Sequence, residues 1–207
     1  MPVGAFQANC FLVRHADTPG RALVIDPGDE AERISGALDA WSAEPEAILL
    51  THAHLDHITA VGDLVDRYDC PVHLHPADFD LYRAAPGQAA MFGLHVSPQP
   101  LPDRQLADRQ VLRFGAIEFM VRHAPGHSPG GVVFVGHSSA FVGDCVFAGS
   151  IGRTDLPGGD TRTLLDSIRE QILSLPGDTV LYPGHGPATT VQREAASNPF
   201  LVGLGDG

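Results

Sequence analysis

The sequence predicts an α/β fold, and three observations carry that prediction. Apolar runs of strand length alternate with stretches of helical periodicity along the 207 residues. The run Ala47-Ile48-Leu49-Leu50 leads straight into Thr51-His52-Ala53-His54-Leu55-Asp56-His57, so a dense cluster of histidine and aspartate stands where a strand hands over to a helix. Later strand candidates end the same way, in Gly143-Asp144 and in Pro183-Gly184-His185-Gly186.

Composition bounds the function. A content of 43% hydrophobic and 18% charged residues is that of a globular chain, and the length suits one domain over 1–207. The net charge of -12, with no Lys/Arg run, argues against nucleic acid or an anionic membrane surface as partner. No apolar stretch approaches the ~20 residues of a membrane span. Met1-Pro2-Val3-Gly4 offers neither the basic start nor the apolar core of a signal peptide. Cys10, Cys70 and Cys145 are odd in number, scattered and without a CxxC pair. They predict buried, reduced thiols in a cytoplasmic protein. The expected partner is a small molecule, and the expected state a monomer or homodimer.

Taken in order, Cys10 to Val13 and Ala22 to Ile25 read as strands around a turn at Thr18-Pro19-Gly20, the second ending in the turn Asp26-Pro27-Gly28. Asp29 or Glu30 opens a helix with Ile34, Leu38 and Trp41 on one face. The strand through Leu50 follows, then a helix from Asp56 to about Arg67 that repeats Ile58, Val61, Leu64 and Val65 at helical spacing. Pro71 to His75 is a short strand. The Pro- and Gly-rich span from about Ala85 to Asp108 reads as an irregular excursion, a candidate flap. Val111 to Phe114 and Ile117 to Val121 form a hairpin, and Val132 to Val135 and Ala140 to Val142 are further strands. Thr161 to Leu175 is a helix capped by Asp160 or Thr161, Thr179 to Tyr182 a strand, and Glu194 to Asn198 a short helical or irregular tail.

Imidazole and carboxylate are the ligands that borderline divalent metals prefer. His52 and His54 are two apart, so in an extended segment they point the same way, while the adjacent Asp56 and His57 point elsewhere. That geometry suits two metals side by side better than one. A solvated, histidine-rich loop is the plainer alternative, but four ligand-type side chains at one strand end favour a task. His73 and His75 alternate on a strand and read as a partly buried pair, and His15, His95, His123 and His137 as ordinary loop or surface residues.

The HxHxDH pattern of His52, His54, Asp56 and His57 resembles the signature of the metallo-β-lactamase superfamily. Pro125-Gly126-His127-Ser128-Pro129-Gly130 is similar to its second metal motif, Gly143-Asp144 to its bridging aspartate, and Tyr182-Pro183-Gly184-His185-Gly186 to its last histidine motif. The resemblance implies an αβ/βα four-layer sandwich of two sheets with helices outside. It implies a first metal on His52, His54 and His127, a second on Asp56, His57 and His185, and Asp144 between them. Zinc is the default, with iron or manganese as alternatives. Gly143 to Phe147, the run Gly152 to Asp160, and Gly184-His185-Gly186-Pro187 look like the glyoxalase II branch, the hydroxyacylglutathione hydrolases, in its short single-domain form. Arg153 and Asp155 are candidates for orienting the ligand loops, with a surface ion pair as the rival reading. Cys145, beside Asp144, points away by strand alternation and reads as core.

What the branch implies is metal-dependent hydrolysis of acyl thioesters such as S-lactoylglutathione by a metal-bridging hydroxide, with Asp56 and Asp144 central. Full-length glyoxalase II carries a helical C-terminal extension whose basic residues meet the glutathione carboxylates. Here no Lys or Arg follows Arg193, so a looser thiol specificity is expected. The nearest rival is a persulfide dioxygenase with one iron on the equivalents of His52, His127 and Asp144, then a lactonase. A β-lactamase is disfavoured because a bridging Asp144 is not that branch's habit. A non-catalytic scaffold is disfavoured because the full ligand set is present.

Overall fold

A computed structural model describes residues 1–204, and the chain divides into two compact units. The first comprises Met1–Leu106 with Arg113–Ile117, the second Ala107–Leu112 with the chain from Glu118 onward. Among the described residues, no helix is long and apolar enough to cross a membrane.

The first unit opens with a hairpin of β1 (Pro2–Val3) and β2 (Ala8–Asn9). Its sheet runs in the order β3 (Phe11–Val13), β4 (Arg21–Ile25), β5 (Glu44–Leu49), β6 (Val72–Leu74) and β7 (Arg104–Gln105). The β3–β4 pair is antiparallel and the rest parallel. Parallel strands are normally covered on both faces, which is why β4 and β5 read as unbroken apolar runs. On one face Val24, Ile48, Leu50 and Val72 meet Ile34 and Leu38 of α1 (Ala31–Ala40). Ile34 and Leu38 lie four apart, on one stripe of the helix. Each such side chain, fully buried, contributes ~1.5–3 kcal/mol.

The helix expected from Asp56 to Arg67 is two helices, α2 (Leu55–Ile58) and α3 (Val61–Tyr68). The apolar spacing is right, but the Ala60 N–H donates to the Pro27 carbonyl at 3.0 Å, which takes it out of the helical ladder. The excursion after Ala85 is also more ordered than expected. A 3₁₀ turn at Pro76–Asp78 leads into α4 (Phe79–Arg83) and α5 (Ala85–Met91), and only then does the chain become irregular. Pro86 sits in the first turn of α5, where its missing N–H costs nothing.

The six-stranded sheet has the order β15, β14, β11, β10, β9, β8. Its strands are β8 (Val111–Phe114), β9 (Ile117–His123), β10 (Val132–Val135), β11 (Ser139–Gly143), β14 (Val180–Pro183) and β15 (Thr189–Thr190). The small hairpin β12 (Val146–Phe147) and β13 (Ser150–Ile151), absent from the sequence reading, intervenes. Val133, Ala140, Val142 and Leu181 pack with Leu164, Ile168 and Ile172, the second core. The expected helix from Thr161 is α6 (Thr161–Ser167) followed by a π turn over Ile168–Ile172. Asp160 caps it, its Oδ1 accepting the Thr163 N–H at 2.7 Å. The tail forms α7 (Val191–Ser197), whose buried Glu194 accepts from the Gly149 N–H and the Asn198 Nδ2, each at 2.9 Å. α7 is thereby fastened to the turn of the β12–β13 hairpin.

Candidate metal centre

In the first unit the ligand-type side chains radiate from the end of β5. Leu50 closes the apolar run of the strand; Thr51, His52 and His54 follow it, His54 in extended backbone, and all three are almost wholly buried. The His52 ring lies 4.9 Å from that of His54 and 4.1 Å from that of His57. Asp56 Oδ2 stands 3.8 Å from His57 Nε2.

Asp26 is the residue that sequence reasoning missed. It follows β4, is 1% exposed, and holds φ 51 at the sharp turn into Pro27-Gly28. Its Oδ1 accepts the Thr51 N–H at 2.7 Å, and its Oδ2 accepts the Thr51 hydroxyl at 2.6 Å and His57 Nδ1 at 3.1 Å. An ionised carboxylate only accepts, so His57 carries its proton on Nδ1. The Thr51 hydroxyl spends its one O–H in the hydrogen bond it donates to Asp26, so its oxygen is the acceptor for His52 Nδ1 at 3.0 Å. Both imidazoles are thus fixed as the tautomer whose Nε2 bears the lone pair. The oxygens of Asp26 are already committed to these donors, so although it stands within ligand distance of His52 and His57 we assign it to orientation rather than ligation. Asp78, also buried and also missed, accepts the Ala53 N–H at 3.0 Å and pins the link between His52 and His54. Gly28 completes the frame: a Cβ there would fall 1.7 Å from the Asp56 carbonyl oxygen.

The second unit carries the rest. His127 sits in the Pro125 to Pro129 loop and donates from Nδ1 to the Arg153 carbonyl at 2.7 Å, which again leaves Nε2 as the lone-pair nitrogen. Asp144 follows β11 and His185 follows β14, its parallel neighbour. One oxygen of Asp144, Oδ2, lies 3.5 Å from both His127 Nε2 and His185 Nε2. The β12–β13 hairpin turns the chain back so that Gly152 lies against the Asp144 backbone, where a Cβ would come within 1.8 Å of the carbonyl oxygen. The Arg153 and Asp155 side chains form an exposed two-point ion pair at 2.7 Å and 2.7 Å. That pairing holds the Asp155 carboxyl down at about 2. What position 153 gives the centre is its carbonyl. Cys145 is core, its thiol pushed up to about 12 by burial.

The donor groups fit divalent metal: three imidazoles, His52, His57 and His127, have Nδ1 engaged and Nε2 left as the lone-pair nitrogen, with carboxylates among the buried and part-exposed neighbours. The model for the metallo-beta-lactamase superfamily matches residues 3–185. The chain belongs to the metallo-β-lactamase superfamily. The αβ/βα fold expected from the sequence is therefore that of the superfamily. Among relatives, the hydroxyacylglutathione hydrolase GloC of Haemophilus influenzae is 40% identical over 205 residues, covering 97% of this chain and 96% of its own. A solved structure described as the BLEG-1 B3 metallo-beta-lactamase aligns with TM-score 0.91 at 40% identity, over 97% of each chain. TTHA1623, solved in a di-iron-bound form, aligns with TM-score 0.89 at 44% identity, over 97% of this chain and 98% of its own. A structure of ETHE1 from Myxococcus xanthus, at 23% identity and TM-score 0.78, shares the fold. The chain is accordingly a member of a metallo-hydrolase superfamily with histidine and aspartate groups suited to divalent metal.

Proposed function

We propose that this protein hydrolyses acyl thioesters, S-lactoylglutathione among them, with two divalent metal ions, zinc by default. His52, His54 and His127 would hold one, Asp56, His57 and His185 the other, with Asp144 shared. The observation that supports the reading is the engagement of three Nδ1 atoms, by Thr51, Asp26 and the Arg153 carbonyl, which leaves three Nε2 lone pairs available for ligation. Bound metal supplies a water acidic enough to lose its proton near neutral pH and a positive charge against the carbonyl oxygen. The protein's own groups keep that chemistry in place. Asp26 and Thr51 hold two imidazoles at fixed angles, and Arg153 O holds a third. A thiolate leaving group with pKa ~8.5 needs no strong acid, which agrees with a centre made almost wholly of ligands. The thioester substrate follows from the similarity to the GloC hydrolase, and scattered buried thiols suit a reducing, cytoplasmic setting.

The similarity to the BLEG-1 structure favours a second reading, β-lactam hydrolysis by the same centre. The test is thiol release from S-lactoylglutathione by metal-loaded protein, beside cleavage of a chromogenic β-lactam and an oxygen electrode with glutathione persulfide. Thioester turnover without oxygen uptake is expected. β-Lactam cleavage alone, or oxygen uptake alone, overturns the assignment in favour of the corresponding rival.

A further inference from the structure

A pocket of about 160 Å³ lies within the first unit, beside Asp56. Its walls come from three places: the β1–β2 turn with Phe6, the α2 residues Leu55 and Asp56, and the chain after α5 with Leu94 and Val96. Asp29 closes one side. The turn is seated on Asp29, because a Cβ on Gly4 would meet the Asp29 side chain at 2.7 Å. The Phe6 ring is stacked edge-on against Phe92, with centroids 5.4 Å apart. Phe6, Phe92 and Leu94 remain 38%, 55% and 40% exposed, so large apolar side chains gather at this pocket without being buried by the fold.

Size and charge identify the occupant. Sites that enclose a whole ligand run to about 300–1,000 Å³, so this one receives a single arm of a substrate. Its lining residues include Asp29, Asp56 and His95 but no Lys or Arg, and with Asp56 committed to metal in the proposed function, Asp29 is the carboxylate left to set its charge. A glutathione arm, with carboxylates of its own, would meet the like charge of Asp29 with no Lys or Arg to pair it. We infer that the pocket takes the acyl arm of the thioester, and that the arm is short, apolar and uncharged. The inference rests on the thioesterase reading, which places the scissile bond at the centre to which Asp56 belongs. Phe6, Leu55 and Leu94 then select for apolar length, and Asp29 selects against acyl groups that end in a carboxylate.

The experiment compares acetyl-, butyryl- and succinylglutathione as substrates, and S-methyl- and S-butylglutathione as uncleavable ligands followed by calorimetry, all with metal-loaded protein. Each buried methylene is expected to contribute roughly three- to fourfold, so S-butylglutathione should bind about 30-fold tighter than S-methylglutathione. The kcat/KM ratio of butyryl to succinyl should exceed about tenfold. Leu94→Ser and Phe6→Ala, at part-exposed positions, should compress the chain-length dependence. Asp29→Asn should narrow the gap between butyryl and succinyl. Equal Kd values for the two S-alkyl ligands, no measurable binding of either, or turnover indifferent to chain length and charge would overturn the inference while leaving thioester hydrolysis standing. If no thioester is turned over at all, the proposed function falls, and the two Kd values still decide what the pocket holds.

Discussion

Asp26 accepts the Nδ1 proton of His57 at 3.1 Å, and through the Thr51 hydroxyl it also sets the proton on His52. One buried carboxylate thus fixes the tautomer of two imidazoles. Replacing it leaves Thr51 and His57 with buried donors and nothing to receive them. Asp26→Ala is expected to weaken metal binding about 10- to 100-fold, the usual cost of losing such an orienting group. Folding stability should drop by about 1–3 kcal/mol as well. Chelator competition and denaturant titration read the two effects separately. Unchanged metal affinity in a folded Asp26→Ala protein would show that the network is structural only.

Asp144 Oδ2 is equidistant, at 3.5 Å, from His127 Nε2 and His185 Nε2. A side chain that faces both histidines should matter to both metal positions. Asp144→Ala is expected to lower thioester turnover by about 100-fold or more, a greater loss than Asp26→Ala, because the proposed function makes Asp144 a ligand and Asp26 the support of its neighbours. His185→Ala should reduce bound metal from two ions per chain to one. Elemental analysis of the variants, alongside turnover, distinguishes the cases.

Much of this centre was legible in the sequence, and what was missed has a physical reason. His52, His54, Asp56 and His57 announced themselves by density at a strand end. His127, Asp144 and His185 stood beside glycine or proline at other strand ends, and required a resemblance to be joined with them. Asp26 carries the same strand-end mark as Asp144, yet the Pro-Gly after it made a turn the simpler reading. Asp78 gave no signal, because its role depends on meeting Ala53 across 25 positions of chain. The broken helix at Ala60 was hidden for a similar reason: periodicity records which face is apolar, not where an N–H is drawn away by Pro27. Arg153 was singled out for its side chain, whereas its carbonyl does the orienting, and carbonyls leave no trace in composition.

The cysteines offer a test of the cores. Cys10, Cys70 and Cys145 are all buried and free, and burial pushes their thiols up to about 12, about 11 and about 12. Thiolate is the reactive form. None should react with a disulfide reagent at pH 8 in the folded protein, and all three should react at once in denaturant. Rapid reaction of one thiol in the native state would contradict the packing around it.

His73, buried on β6 beside the Phe114 ring, titrates low: burial pulls it to about 4 from the ordinary 6.5. Between pH 6.5 and about 4 the unfolded chain gains a proton that the folded one refuses. Its contribution to stability is therefore whole above the ordinary pKa and declines as pH falls toward the depressed one. The loss is up to ~3 kcal/mol, from about 1.4 kcal/mol per pH unit. Denaturant titrations of wild type and His73→Phe across that window should diverge, with the wild type falling more steeply toward acid.

In the proposed function, residues from both halves of the sequence would together hold two metal ions and make this chain a thioesterase. The most direct measurement is a titration of metal-free protein with zinc, iron(II) or manganese, following thiol release from S-lactoylglutathione against metal bound per chain. Activity should rise until two ions are bound, and only two. Saturation of both binding and turnover at one ion per chain would contradict it, as would a protein that fills two sites and releases no thiol.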